Sequence, residues 1–193
     1  MKLQRSDLWS LEDYAVERES FRANVISHKK ARQVLLGEHV SLHFEDHLTM
    51  QYQVQEMLRV ERIFEADAIQ EEIDTYNELI PDGTNWKATM LIEYEDPTER
   101  QEALVRLHGI EDHIWVDVEG QERLFAIANE DMDRSNETKT AAVHFLRFEF
   151  PTSHRKALKD GGSVQIGIDN SVLNYSVSLS DSTRSSLLQD LAD

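Results

Sequence analysis

The chain has no cysteine among its 193 residues. That excludes disulfides, thiolate zinc sites, the usual cysteine-ligated iron–sulfur clusters and a cysteine nucleophile, and it leaves the redox compartment open. Any redox role must therefore run through a partner or a bound group, and the side chains themselves point to no cofactor. Long apolar runs are also missing. Nothing approaches the roughly 20 residues that span a bilayer, and the opening Met1-Lys-Leu-Gln-Arg-Ser-Asp7 lacks an apolar signal core, so a cytoplasmic protein is expected. With three prolines and seven glycines there is no linker rich in either, no internal repeat and no low-complexity segment, which favours one domain over residues 1–193.

Positive charge is scarce as well. Twenty Lys and Arg face 37 Asp and Glu, a formal net charge of −17, which disfavours nonspecific binding to nucleic acid. The imbalance is uneven: residues 1–36 carry seven basic against five acidic side chains, and all the remaining excess is acidic. Lys29, Lys30 and Arg32 are the nearest thing to a basic patch. They are expected in the last turns of a helix ended by Gly37, where cations complement the dipole, with a docking surface for an acidic partner as the rival reading.

Several catalytic signatures are absent: the Gly-x-Ser-x-Gly elbow, the phosphate-binding Gly-x4-Gly-Lys loop, His-Glu-x-x-His and the dinucleotide glycine fingerprint. Asp160-Gly-Gly-Ser163 reads as a turn, and the Asn136-Glu-Thr138 sequon has no meaning in a cytoplasmic chain.

What is present is periodicity. Ser10 and Asp13 suggest the cap of a short helix, followed by a second helix over Glu19–Leu36 with His28 packed on its apolar side, the two forming a helical N-terminal segment over residues 1–37. Val40, Leu42 and Phe44 alternate with polar neighbours, and Leu48, Met50, Tyr52 and Val54 repeat the alternation, which predicts a hairpin turning at Glu45–His47. Met57, Val60, Ile63 and Phe64 then predict an acidic helix, with residues 56–79 divided in two by a cap at Asp67. Pro81-Asp-Gly83 is a turn before a strand over Trp86–Tyr94. Thr98 caps a helix stopped by Gly109. Strands follow at residues 114–118 and 124–128, a central strand at residues 141–150, a hairpin of residues 164–168 with 175–179, and a helix near residues 182–191. The sum is an α+β fold, a mostly antiparallel sheet with an N-terminal helical pair and helices packed on one face.

Candidate chemistry is sparse. His39, His43 and His47 are the possible metal ligands, but on strands the first two stand roughly 13 Å apart, too far for one ion, and a solvated sheet face is the alternative. Glu56, Arg59, Glu61 and Arg62 form either an exposed ion-pair lattice or part of a site. Arg147 and Glu149 share one face of a strand that otherwise reads as buried, so they need partners, for which Glu93 and Glu95 are available. A pocket gathering Arg62, Arg147, Glu93 and Glu149, with Glu56 or His144 as proton carrier, would suit an anionic ligand. In the same pocket Arg59 is a further ligand-binding candidate and Glu149 a further catalytic one. His144 shares its face with Leu146 and Phe148 and otherwise reads as a hydrogen-bonded core residue.

The blocks Asp7-Leu-Trp-Ser-Leu11, His28-Lys-Lys-Ala-Arg32, Phe44-Glu-Asp46, Gln53-Val-Gln-Glu-Met-Leu-Arg-Val-Glu-Arg-Ile63, Leu79-Ile-Pro-Asp-Gly83 and Thr140-Ala-Ala-Val-His-Phe-Leu-Arg-Phe-Glu149 resemble an uncharacterised bacterial domain-of-unknown-function family over nearly the whole chain. The resemblance implies genes encoded beside rubrerythrin-like and iron–sulfur oxidoreductase proteins, and so a role near peroxide or sulfur redox metabolism. It brings no catalytic motif. An accessory or binding protein with such a partner, using the basic N-terminal helix or the acidic body as a docking surface, is the leading expectation. A homodimer is expected on frequency alone.

Overall fold

The computed structural model describes residues 2–130 and 139–192. The sequon at Asn136 lies outside them. The fold is α+β with antiparallel sheets throughout, as expected. Its organising fact is parity. Even-numbered residues of β1 (Gln33–Leu36), β2 (Val40–Phe44), β3 (Asn85–Ile92), β4 (Ile114–Val118), β7 (Val143–Glu149) and β8 (Val164–Asp169) all point into one core. Because successive strand residues alternate faces, that single choice sends the odd residues outward.

Two sheets enclose this core. One has the order β1-β2-β3-β7-β6, where β6 is Ile127–Ala128; the other runs β5-β4-β8-β9, with β5 at Leu124–Phe125 and β9 at Asn174–Ser178. The chain passes between sheets at Ala126, whose amide donates to the Ile114 carbonyl at 2.8 Å. On the opposite side β1 meets β9. Both ends of the sandwich are thereby closed, which protects edges that would otherwise pair with other chains.

Three helices stand apart from the sandwich core: α1 (Leu11–Lys30), α2 (His47–Glu61) and α3 (Ala66–Asn77). The division of residues 56–79 into two helices holds, although the N-cap of α3 is Glu65 and Asp67 lies inside its first turn. Three other expectations do not. Residues 11–30 form one helix instead of two, residues 33–36 are a strand, and Gly37 makes the β1–β2 turn at φ +81° instead of ending a helix. The ribbon over residues 40–54 is also half wrong, because its second arm is the start of α2. Asp46 and Thr49 form a reciprocal capping box that begins the helix there.

The misleading alternation has a physical cause. Met50, Val54 and Leu58 pack toward α3, whereas Leu48 and Tyr52 pack toward Tyr14, Phe21 and Val25 of α1. Two i, i+4 stripes offset by two residues reproduce the period of a strand. The register argument that put His47 in a turn and Thr49 opposite His43 falls with it; His43 stands opposite Gln33 and Thr89.

β7 is second from the edge of its sheet. Its odd residues Phe145, Arg147 and Glu149 are only half-buried, so it is not apolar on both faces. The remaining helices are α4 (Pro97–Arg106), capped by Asp96 instead of Thr98, α5 (Thr152–Lys159), which periodicity did not reveal, and α6 (Asp181–Leu188). Among the described residues no helix is long and apolar enough to cross a membrane.

Candidate functional site

The site arises where the turn before β3, the end of α3 and the outward face of β3 and β7 meet. In Pro81-Asp-Gly83, Gly83 adopts φ +103° and lies against the chain terminus: a Cβ there would come within 2.9 Å of the Ala192 Cβ. Asp82 Oδ1 accepts from the Thr84 amide at 2.9 Å and its hydroxyl at 2.7 Å. Burial pushes this carboxyl up, but the bonds from Thr84 and Asn85 outweigh it and hold the group below its usual range.

Antiparallel pairing then sets Asn85 opposite Glu149 and Lys87 opposite Arg147. Two cations in direct cross-strand register repel unless negative charge intervenes. For Arg147 it does: Nε and Nη2 fork onto the two oxygens of Glu130, each at 2.8 Å, and Nη1 donates to Glu149 Oε2 at 2.5 Å. Arg147 holds Glu130 below the ordinary carboxylate range. Glu149 is pushed up by burial, yet bonds from Thr84, Asn85 and Arg147 bring it below that range as well. Among the described residues three of the five guanidinium N–H groups are committed and two are left.

Lys87 is treated differently. Its ammonium donates to the backbone carbonyl of Glu78 at 2.7 Å and, among the described residues, has no carboxylate within 4 Å. Burial lowers its affinity for the proton, and the charges of Asp82 and Glu78 only partly restore it. Lys87, Arg147, Asp82, Glu78 and Glu130 line a cavity of about 360 Å³, with Leu79 and Phe145 as its apolar walls. Its size and mixed lining fit a small-molecule site.

With that geometry in place, the comparisons with known proteins identify the family. Residues 2–191 match the family described as Protein of unknown function (DUF3501). The chain belongs to that family. A crystal structure of a novel protein of unknown function from Burkholderia pseudomallei K96243 is 45% identical, covers 100% of both chains and superimposes with a TM-score of 0.94. No curated protein matches.

This DUF3501 member scatters the residues chosen from sequence. Arg147 and Glu149 do belong together, but Glu130, not Glu93 or Glu95, completes their set. Glu93 lies six residues along from Lys87, roughly 20 Å by strand rise, where its Oε2 accepts from the Ser41 hydroxyl at 2.8 Å. Glu56 sits between α1 and α2, accepting from Tyr14 at 2.7 Å, Arg18 at 2.7 and 2.9 Å, and Arg59 at 3.2 Å. The Arg18 bonds bring its carboxyl down to about 2, so it carries no proton near neutrality. Arg62 ends α2 in the left-handed conformation, φ 56°. His144 is the hydrogen-bonded core residue expected, with Nε2 2.8 Å from the Thr140 hydroxyl.

The three metal candidates have separate partners. His39 stacks on Tyr94 at 3.8 Å, His43 meets the Ser41 hydroxyl at 3.1 Å, and His47 lies 3.4 Å from Asp7. Among the described residues no group of three His, Cys, Asp or Glu is placed to hold a metal ion. Lys29 and Lys30 stand in the last turn of α1, as expected of cations at that end, but Arg32 does not join them. Arg32 is interior, bonded to the Phe44 and Glu45 carbonyls and to Asp190, while His28, expected in the core, is partly exposed and meets Asp46 at 2.5 Å.

Lys87, Asp82 and Glu130 were missed. Lys87 had a signal: it alternates with Trp86 and Ala88 in the strand the sequence predicted, so it had to stand on the outward face with Arg147.

Proposed function

We propose that this protein binds a small ligand bearing a carboxylate or phosphate in the cavity between β3, β7 and the end of α3. One observation carries the reading: Lys87 and Arg147 stand side by side on the cavity floor, and the two carboxylates beside them both serve Arg147. An incoming anion would neutralise Lys87 and take up the remaining donors of Arg147. Neither histidine, serine nor tyrosine lines the cavity among the described residues, which favours binding over catalysis.

The accessory role beside a rubrerythrin-like or iron–sulfur protein, in the cytoplasm, rests on the family resemblance. Arg32 is buried beyond the end of α1 and Arg18 pairs with Glu56, which leaves Arg22, Lys29 and Lys30 as the basic groups of that helix for an acidic partner.

The test is thermal unfolding against a panel of aliphatic and aromatic carboxylates, amino acids included, and inorganic phosphate. At a hundredfold excess over Kd a true ligand stabilises the fold by about 2.7 kcal/mol. Lys87→Met should abolish that gain and Arg147→Met should weaken binding at least tenfold, both with the unliganded fold intact. Equal stabilisation of Lys87→Met and wild type by the same compounds would overturn the proposal, as would a panel with no stabilising member.

A further inference from the structure

We infer that the cavity ligand is a small zwitterion, carrying an ammonium as well as a carboxylate in the manner of an amino acid; this rests on the anion reading above and narrows it. The cavity holds a divided charge pair. Lys87 and Asp82 face the same cavity and feel each other's charge, yet they lie outside the 4 Å of a direct ion pair. Each has capacity to spare. Among the described residues the Lys87 ammonium has one partner, the Glu78 carbonyl, and the Asp82 carboxylate, bonded by Thr84 and Asn85, keeps lone-pair capacity for one more donor.

An ammonium partly desolvated near an opposite charge that it does not pair with is an unfavourable arrangement when the cavity is empty, because the desolvation of Lys87 is only partly repaid. A ligand with complementary charges of its own would bridge them. A simple anion would not. It would gain Lys87 but lie against Asp82, with Glu78 and Glu130 also in the lining, and like charges at close range in a partly dry site discriminate strongly. An ammonium placed at Asp82 turns that repulsion into attraction, while Leu79 and Phe145 supply apolar surface for the rest of the molecule. The carboxylate would meet Lys87 and the two uncommitted N–H groups of Arg147.

The experiment is calorimetry on the full chain with each of the twenty common amino acids, and, for any that bind, with the matching carboxylic acid lacking the amino group. The amino acid should bind at least tenfold more tightly than its deamino counterpart. Asp82→Asn, which keeps the oxygen that Thr84 needs, should shrink that preference to within about twofold, whereas Lys87→Met should abolish binding of both compounds. A deamino acid that binds as tightly as the amino acid, or tighter, would overturn the zwitterion and leave the anion reading standing. If neither amino acids nor simple anions bind, both readings fall.

Discussion

At the scale of single residues, the charges of this protein divide into those that hold it together and those left for a ligand. Glu56 is of the first kind. Its folded carboxyl, at about 2 against 4.5 in the unfolded chain, is depressed, so its contribution to stability is complete above about pH 4.5 and is lost as pH falls toward 2. Allowing for solvent screening, that contribution is about 1–2 kcal/mol. Urea unfolding at pH 7, 4.5 and 2.5 should therefore show Glu56→Gln less stable than wild type by that amount at pH 7 and by only about a quarter of it at the lowest pH. Equal stability at pH 7 would mean the α1–α2 clamp is ornamental. Arg32 belongs to the same class, with its guanidinium tied to strand carbonyls and α6, and Asp190 beside it pushed up to about 6 by burial despite that contact. From sequence, Arg147 and Glu149 were recognisable as a pair in need of partners, because a charge cannot sit in a covered strand alone. Which carboxylate answers was not recognisable, since that depends on where the chain returns after β6.

Elements were legible where one face alone is buried. The strands of both sheets keep their even residues inward, and the alternation that reveals them is the alternation that builds the core. α2 defeated the same reasoning by burying two stripes, one against α1 and one against α3. The capping residues Asp46 and Thr49 were the available signal that outranked the apolar period. β8 shows a further constraint that no periodicity displays. The indole of Trp115 on β4 crosses Gly167 so closely that a Cβ there would come within 2.3 Å of it, and the Arg123 guanidinium lies over the same ring at 3.8 Å. Gly167→Ala must push the tryptophan or the strand aside, and overpacking of this kind costs about 1–3 kcal/mol. A lower urea midpoint with unchanged slope, together with altered tryptophan fluorescence, is the expected result. An unchanged midpoint would show that the sheet face yields freely.

For the molecule as a whole, the cavity is a product of topology. Residues 78–87, Glu130 and residues 145–147 are remote in sequence and meet because β3 pairs antiparallel with β7 in one register out of several that would bury the same apolar residues. A shift of two residues keeps every side chain on its face but separates Lys87 from Arg147. That is why composition and pattern reached the fold class and the absence of known catalytic signatures, yet placed the anion site across residues that the fold holds far apart. The net charge of −17 sharpens the point: in so acidic a protein, two adjacent cations in a cavity are the exception that calls for a ligand. The most direct measurement is nitrogen-15 NMR of the arginine and lysine side chains while the tightest-binding compound is titrated in. The account predicts that the Lys87 Nζ and Arg147 Nε signals move together along one saturating curve while Arg18 and Arg123 stay fixed; movement confined to Arg123 or spread evenly over all the cations would contradict it.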